Sequence, residues 1–90
     1  MTTVVNLYKE PYDVYIGRGS IWGNPFIIGK DGTREEVIAK YKARLLSPNY
    51  AELRDAVYIL KDKRLGCYCK PKACHGDVLV EYVNNIFSTA

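Results

Sequence analysis

Two segments near the start of the chain have the composition and the alternation of β-strands. Thr3 to Tyr8 is rich in β-branched residues, and Tyr12 to Gly17 alternates apolar and polar side chains. The connection through Glu10 and Pro11 is too short for a crossover helix, since parallel neighbours need roughly a dozen connecting residues. The pattern therefore predicts an antiparallel hairpin.

Three later segments space their apolar residues as helices do. Thr33 and Glu36 form a capping-box sequence, which predicts the start of the first helix, and Asn49 and Glu52 repeat that sequence before a second. A third helix is predicted to begin within Cys74 to Asp77. The apolar faces predicted for the three helices are Val37, Ile38, Tyr41 and Leu45; Leu53, Ala56, Val57 and Leu60; and Val78, Leu79, Tyr82, Val83 and Ile86.

The rest of the pattern completes a small α/β fold. Arg64 to Cys69 is predicted as a third strand. Gly17 to Gly32 contains glycines and little periodicity, so it is predicted as a long ordered loop with a brief extended piece at Phe26 to Ile28. We expect a single domain over residues 1–90, a two-layer or three-layer sandwich with a short mostly parallel or mixed sheet and three helices.

Composition narrows the class of protein. The 90 residues carry a net charge of only +3, which does not indicate wholesale wrapping of nucleic acid. No apolar stretch approaches the ~20 residues that span a bilayer, and the first residues do not resemble a signal peptide. We therefore expect a cytoplasmic location, with no membrane partner and with three reduced cysteines.

The candidate chemistry is concentrated in Cys67 to Asp77, which holds every cysteine and the sole histidine. A helix beginning near Cys74 would present free N–H groups, and Lys70 or Lys72 would add positive charge, so the sequence predicts a lowered thiol pKa and an anion site. The candidate catalytic residues are Cys74, His75 and Asp77. Cys69 and Lys70 are the candidate ligand-binding residues of this segment.

Two other interpretations of this segment stay open. Cys67, Cys69, Cys74 and His75 supply the four ligands of a structural zinc site, although their spacing lacks the common C-x₂-C knuckle. Alternatively, Cys67 and Cys69 are small core residues, and Asp77 caps the last helix. The sequence does not decide whether a metal is bound.

A second candidate cluster lies in the long loop. Glycines on both sides of Arg18 allow close approach of a ligand, and the guanidinium can hold phosphate or carboxylate. Trp22 could stack on a base, and Asn24 could recognise polar edges. The candidate ligand-binding residues are Gly17, Arg18, Gly19, Trp22 and Asn24. In the alternative interpretation Trp22 and Phe26 fill the core, and for Phe26 we favour this alternative.

Both clusters follow predicted strands, and ligands of open α/β sheets bind at the carboxyl ends of strands. We therefore expect the two clusters to converge. A structure with Arg18 and His75 on opposite faces would contradict this expectation.

The order of these motifs resembles the domain-of-unknown-function family 4326, a family of small bacteriophage and bacterial α/β proteins. The resemblance covers nearly the whole chain and rests on a Trp-Gly-Asn-Pro-Phe motif at residues 22–26, a Cys-x-Cys motif at residues 67–69 and Cys-His-Gly-Asp at residues 74–77. It implies a phage-type α/β protein, which would lie in the host cytoplasm if the gene belongs to a phage, and it supplies no reaction.

The leading functional hypothesis is binding of a nucleotide-like or other phosphorylated small ligand, with turnover left open. Arg18 would meet the phosphate and His75 would act as acid or base. One alternative is a phage accessory protein that binds a host protein through some of its many tyrosines. The other is a zinc-stabilised module that binds nucleic acid, which the mild net charge supports only weakly. No cofactor is indicated.

Overall fold

The computed structural model describes residues 1–87, and three parallel strands form its sheet. The strands are β1 (Thr3–Asn6), β2 (Val14–Tyr15) and β3 (Arg64–Cys67), in the order β1-β3-β2. The last residues of the predicted domain, 88–90, lie outside the described residues. A small α/β fold is confirmed, and the sheet is parallel rather than mixed.

The predicted hairpin is wrong, because β3 lies between the two early strands and pairs with both. The Asn6 side chain accepts the amide of Tyr8 at 2.9 Å, and this turn ends β1. Leu65, Gly66 and Cys67 are all buried, which is typical of a central strand covered on both faces. All three strands are also shorter than predicted.

Three α-helices occur in the chain order that the sequence predicts, two before β3 and one after it. They are α1 (Arg34–Leu45), α2 (Ala51–Asp55) and α3 (His75–Ile86). Short 3₁₀ segments at Pro48–Tyr50 and Ala56–Leu60 flank α2. Within residues 1–87, no helix has the length and apolar character needed to cross a membrane.

The capping boxes predicted for α1 and α2 have different outcomes. The Thr33 hydroxyl accepts the Glu36 amide at 3.2 Å, and the Glu36 carboxylate accepts the Thr33 amide at 3.0 Å, which confirms the first. The second is wrong, because the residue before α2 is Tyr50 and no side chain caps the helix. Instead, the Arg54 guanidinium donates to two carbonyl groups at and just beyond the end of α1.

The helices and the 3₁₀ segment before β3 share one core with a single face of the sheet. Leu65 and Cys67 belong to this core. On the opposite face, Gly66 lies beneath Tyr12, since a Cβ at Gly66 would come within 2.7 Å of the Tyr12 ring. The arrangement is therefore two-layered. The buried core residues are Ile16, Trp22, Tyr41, Leu45, Val57, Leu60, Leu65, Cys67, Cys74, Val78, Leu79 and Val83.

The long loop before α1 is anchored by Trp22 rather than by Phe26. Trp22 is 2% exposed, and its carbonyl accepts a hydrogen bond of 2.8 Å from the Tyr41 hydroxyl. Phe26 is half-buried and lies outside the core cluster, so its predicted role as a core residue is wrong. The extended piece predicted nearby is reduced to one bridge between Ile28 and Gly32.

Gly76 allows α3 to pack directly against the sheet. A Cβ at this position would lie 2.8 Å from Ile16 Cδ1, 3.0 Å from Val4 Cγ2 and 3.2 Å from Cys74 Sγ. Ile16 and Cys74 are buried, so neither can move aside freely. The glycine therefore sets the distance between the first turn of α3 and the strands.

We expect Gly76→Ala to lower the free energy of unfolding by about 1–2 kcal/mol, because overpacking outweighs the small helix propensity gain of alanine. Urea denaturation followed by circular dichroism measures the change. Asn85→Ala, at an exposed position of the same helix, is the matched control and should be neutral or slightly stabilising. An unchanged midpoint in Gly76→Ala would contradict the close packing.

Candidate functional site

A pocket of about 400 Å³ lies where β2 and β3 end and α3 begins. We call it the edge pocket. This is the carboxyl edge of a parallel sheet, where α/β proteins commonly bind ligands. The residues that line it are Gly17, Arg18, Asn24, Phe26, Ile27, Ile28, Arg34, Val37, Ile38, Cys67, Tyr68, Cys69, Ala73, Cys74 and His75.

The edge pocket brings together residues from both candidate clusters. Six candidate residues from the long loop and the β3–α3 junction line this pocket, and these are Gly17, Arg18, Asn24, Cys69, Cys74 and His75. Four other candidates do not line it, and these are Gly19, Trp22, Lys70 and Asp77. Arg18 and His75 thus share one cavity rather than lying on opposite faces.

The loop candidates differ in what their side chains do. The Trp22 ring is packed in the core and is not available to stack on a ligand. Gly19 is exposed and adopts a φ of 93°, the left-handed conformation that favours glycine. Asn24 donates to the Val37 carbonyl at 3.2 Å and accepts the Phe26 amide at 3.0 Å, so its side chain attaches the loop to α1.

Asp77 and Lys70 contact each other at the start of α3. One carboxylate oxygen of Asp77 accepts the Cys74 amide at 3.1 Å, and the other lies 3.8 Å from Lys70 Nζ. A carboxylate in the first helical turn is stabilised by the helix dipole. The geometry therefore gives Asp77 the capping role that the sequence held as an alternative, away from the edge pocket.

The predicted lowering of the Cys74 pKa is wrong. Cys74 is 2% exposed, and its sulfur lies 3.3 Å from that of Cys67, which is also buried. Burial, together with the hydrogen bond to Cys67, raises the pKa of Cys74 to about 12. The thiolate, which is the nucleophilic form, is therefore scarce at neutral pH.

The cysteine segment does not assemble a metal site in the part of the chain that the structure describes. Across residues 1–87, no three side chains among His, Cys, Asp and Glu are placed to hold one ion. The two buried sulfurs contact each other, and the histidine ring is directed to a backbone carbonyl instead. The zinc interpretation gains no support from this geometry.

His75 is held in one tautomer by the strand end that precedes the loop. Its Nε2 lies 2.7 Å from the Ile16 carbonyl, which can only accept, so Nε2 carries the proton. The Tyr41 ring meets the imidazole edge-on, with centroids 5.1 Å apart. Burial lowers the pKa of His75, which keeps the ring neutral and leaves the lone pair on Nδ1.

Sequence reasoning missed Arg34, which is the second cation of the edge pocket. Its Nη1 donates to the Ala73 carbonyl at 3.0 Å, so the guanidinium lies against the β3–α3 connection. The sequence did contain a signal for Arg34. A positive charge in the first turn of a helix is unfavourable to the helix dipole, so its presence there suggests a role other than helix stability. Phe26 was missed as a lining residue because the long loop has no periodicity to orient it. Tyr68 was missed because the predicted strand ran to Cys69, whereas β3 ends at Cys67.

The electrostatics of the edge pocket favour an anion. Arg18 and Arg34 are the charged side chains that line it, and no aspartate or glutamate does so among the described residues. Neither arginine forms an ion pair within residues 1–87. Phe26, Ile27 and Ile28 form an apolar wall in the same cavity. The cavity can therefore accept a molecule with an anionic end and an apolar or flat body.

We expect stability to fall as pH drops below about 6.5, the ordinary pKa of histidine. The folded state holds His75 neutral with a lowered pKa, so the unfolded chain binds more protons in this range. The stabilisation that comes from keeping His75 neutral is present above the pKa of histidine in the unfolded chain, and it is lost as pH falls through the lowered pKa of the folded state. Urea unfolding free energies between pH 5 and 8 measure the effect.

His75→Gln is the control for this titration, since it retains a donor for the Ile16 carbonyl and cannot change charge. The chain has one histidine, and carboxylates such as Asp13 and Glu36 have lowered pKa values and titrate below this range. The pH dependence should therefore disappear between pH 5 and 7 in His75→Gln. An equal slope in both proteins would contradict the assignment.

Two viral proteins are similar to this chain. It is 45% identical to "Uncharacterized 12.4 kDa protein in nrdA-td intergenic region" of Enterobacteria phage T4, over 93% of this chain and 79% of that protein. It is 34% identical to "Uncharacterized protein R718" of Acanthamoeba polyphaga mimivirus, over 77% of this chain and 65% of that protein. No solved structure matches.

Its similarity to the T4 protein supports the description of the chain as a small phage-type protein. The family described as Domain of unknown function (DUF4326) matches residues 4–85, which include both candidate clusters, all of β2 and β3, β1 without its first residue and α3 without its last. The chain belongs to this family.

Proposed function

We propose that the edge pocket binds a phosphorylated, nucleotide-like small molecule. The observation that carries this proposal is the combination of two arginines, no lining carboxylate and an apolar wall in one cavity of about 400 Å³. That volume falls within the range of roughly 300–1,000 Å³ that is common for small-molecule sites.

The phosphate would lie between Arg18 and Arg34. Each guanidinium can donate two parallel hydrogen bonds to phosphate oxygens, and Arg34 spends one donor on the Ala73 carbonyl. The start of α3 adds N–H groups on the same side, although Asp77 already accepts the first of them. The arginines therefore supply most of the attraction, and affinity should decrease as salt concentration rises.

The base or another flat group would contact the apolar wall. Phe26 is half-buried and Tyr68 is 52% exposed, so both rings retain free surface. Lys40 and Arg44 lie 5.8 and 5.9 Å from the Phe26 centroid, which fixes this ring on α1. A ring held from one side is ready to stack on the other.

If the bound molecule is turned over, His75 is the residue that would exchange the proton. It lines the edge pocket, its tautomer is fixed by Ile16, and its neutral form leaves Nδ1 able to accept. Cys74 is less suited to nucleophilic attack, because burial keeps its thiol protonated. Asp77 contacts the helix start instead.

We expect nucleoside phosphates to raise the melting temperature and to bind measurably by calorimetry. The screen compares nucleoside mono-, di- and triphosphates with the unphosphorylated nucleoside and with inorganic phosphate. Arg18→Ala and Arg34→Ala should each weaken binding about 10-fold or more, because a hydrogen bond to a charged group contributes about 1.5–3 kcal/mol.

Lys63→Ala is the matched control, since it removes one positive charge at the opposite end of β3. It should change affinity by less than about twofold. The proposal fails if no phosphorylated compound binds. It also fails if the two arginine variants bind as well as Lys63→Ala does, since binding would then lie elsewhere on the chain.

A further inference from the structure

Three tyrosines form a row across the carboxyl edge of the sheet. Tyr68 lies in the middle, with the Tyr8 ring 5.2 Å away and the Tyr15 ring 6.1 Å away between centroids. The order follows from the topology, because Tyr8 follows β1, Tyr68 follows the central β3 and Tyr15 ends β2. We call these three residues the tyrosine row.

The tyrosine row continues the wall of the edge pocket. Tyr68 lines that pocket, and the Tyr15 hydroxyl donates to the Arg18 carbonyl at 2.9 Å. Gly17, another lining residue, has no room for a Cβ because the Tyr15 hydroxyl lies against it. The row therefore borders the edge pocket through Tyr68 and contacts the backbone of its lining residue Arg18 through Tyr15.

Folding does not account for the exposure of two of these three rings. Tyr8 is 78% exposed and Tyr68 is 52% exposed, whereas the buried tyrosine of the core, Tyr41, is 4% exposed. Side chains that are this exposed contribute little burial to stability. A contiguous exposed aromatic patch beside a cavity is typical of a binding surface.

We propose that the tyrosine row stacks the next base of a nucleotide chain whose phosphate is held in the edge pocket. The ligand is then a dinucleotide or a short single-stranded oligonucleotide rather than a mononucleotide. Sequence-tolerant binding of single strands uses this combination of a cationic groove and exposed aromatic rings. The inference rests on the proposed function, because the row adds affinity to a phosphate site that Arg18 and Arg34 provide.

Charge favours a nucleic acid over a protein as the occupant. Lys9 and Glu10, next to Tyr8, offset each other, and Lys70 pairs with Asp77, so the positive charge of this edge comes from Arg18, Arg34 and the exposed Lys72. These three cations have no carboxylate partner within residues 1–87. A polyanion with flat bases matches both features at once.

The test compares a mononucleotide, the 5′-phosphorylated dinucleotide of the same base and an eight-nucleotide oligomer, by calorimetry at one fixed salt concentration. The dinucleotide should bind about 10-fold tighter than the mononucleotide, which is the order expected for one stacked base. Tyr8→Ala should remove this gain while leaving mononucleotide affinity unchanged. Tyr8→Phe should restore it, since stacking needs the ring and not the hydroxyl.

Tyr58→Ala is the matched control, because Tyr58 is 66% exposed and lies in the 3₁₀ segment before β3, away from the row. It should bind all three probes as the unaltered protein does. Equal affinity for mononucleotide and dinucleotide would overturn the inference and leave the proposed function standing. If Tyr8→Ala leaves the dinucleotide affinity unchanged, as expected if the row serves a protein partner, the inference is likewise overturned and the proposed function stands. Absence of binding by all three probes would overturn both.

Discussion

The close approach of α3 to the sheet is the constraint on which the rest of this structure depends. A Cβ at Gly76 would come within 3.0 Å of Ile16 and Val4, so this position leaves no room for a side chain, and the Cys67 and Cys74 sulfurs meet at 3.3 Å nearby. His75, between these two contacts, reaches the Ile16 carbonyl. The helix start, both strand ends and the loop after β2 are thereby brought to one edge, and the edge pocket is the space left between them.

The same packing decides which side chains retain chemistry. Burial raises the pKa of Cys74 and lowers that of His75, so both groups are neutral near pH 7. A buried neutral thiol contributes packing, whereas a neutral imidazole with a free lone pair can still accept a proton. The cysteine segment, which looks reactive in the sequence, therefore forms in the fold a buried pair of sulfurs beside one imidazole that can still accept a proton.

Features that depend on neighbouring residues were predicted well from the sequence, whereas the long-range pairing of the strands was not. The Thr33–Glu36 capping box and the apolar spacing of α3 depend on residues a few positions apart, and both are found, except that Ile86 of the predicted apolar face is exposed. The hairpin failed because pairing of β1 with β3 joins residues about sixty positions apart, such as Val4 and Leu65, which no local pattern encodes. Trp22 lies in the core, and Phe26, which was expected there, lies outside it. An aperiodic loop does not indicate which ring faces inward, so the sequence could not distinguish the two.

The two-layer packing explains why some tyrosines are needed to cover the sheet and others are not. A three-stranded sheet with helices on one face leaves the other face to be covered by side chains, and Tyr12 does so by lying on Gly66. Tyr15 is likewise held, by its hydrogen bond to the Arg18 carbonyl. Tyr8, at 78% exposure, covers little of the sheet and instead extends the row from Tyr68. Its position therefore needs a reason outside the folded chain, and a stacked base supplies one.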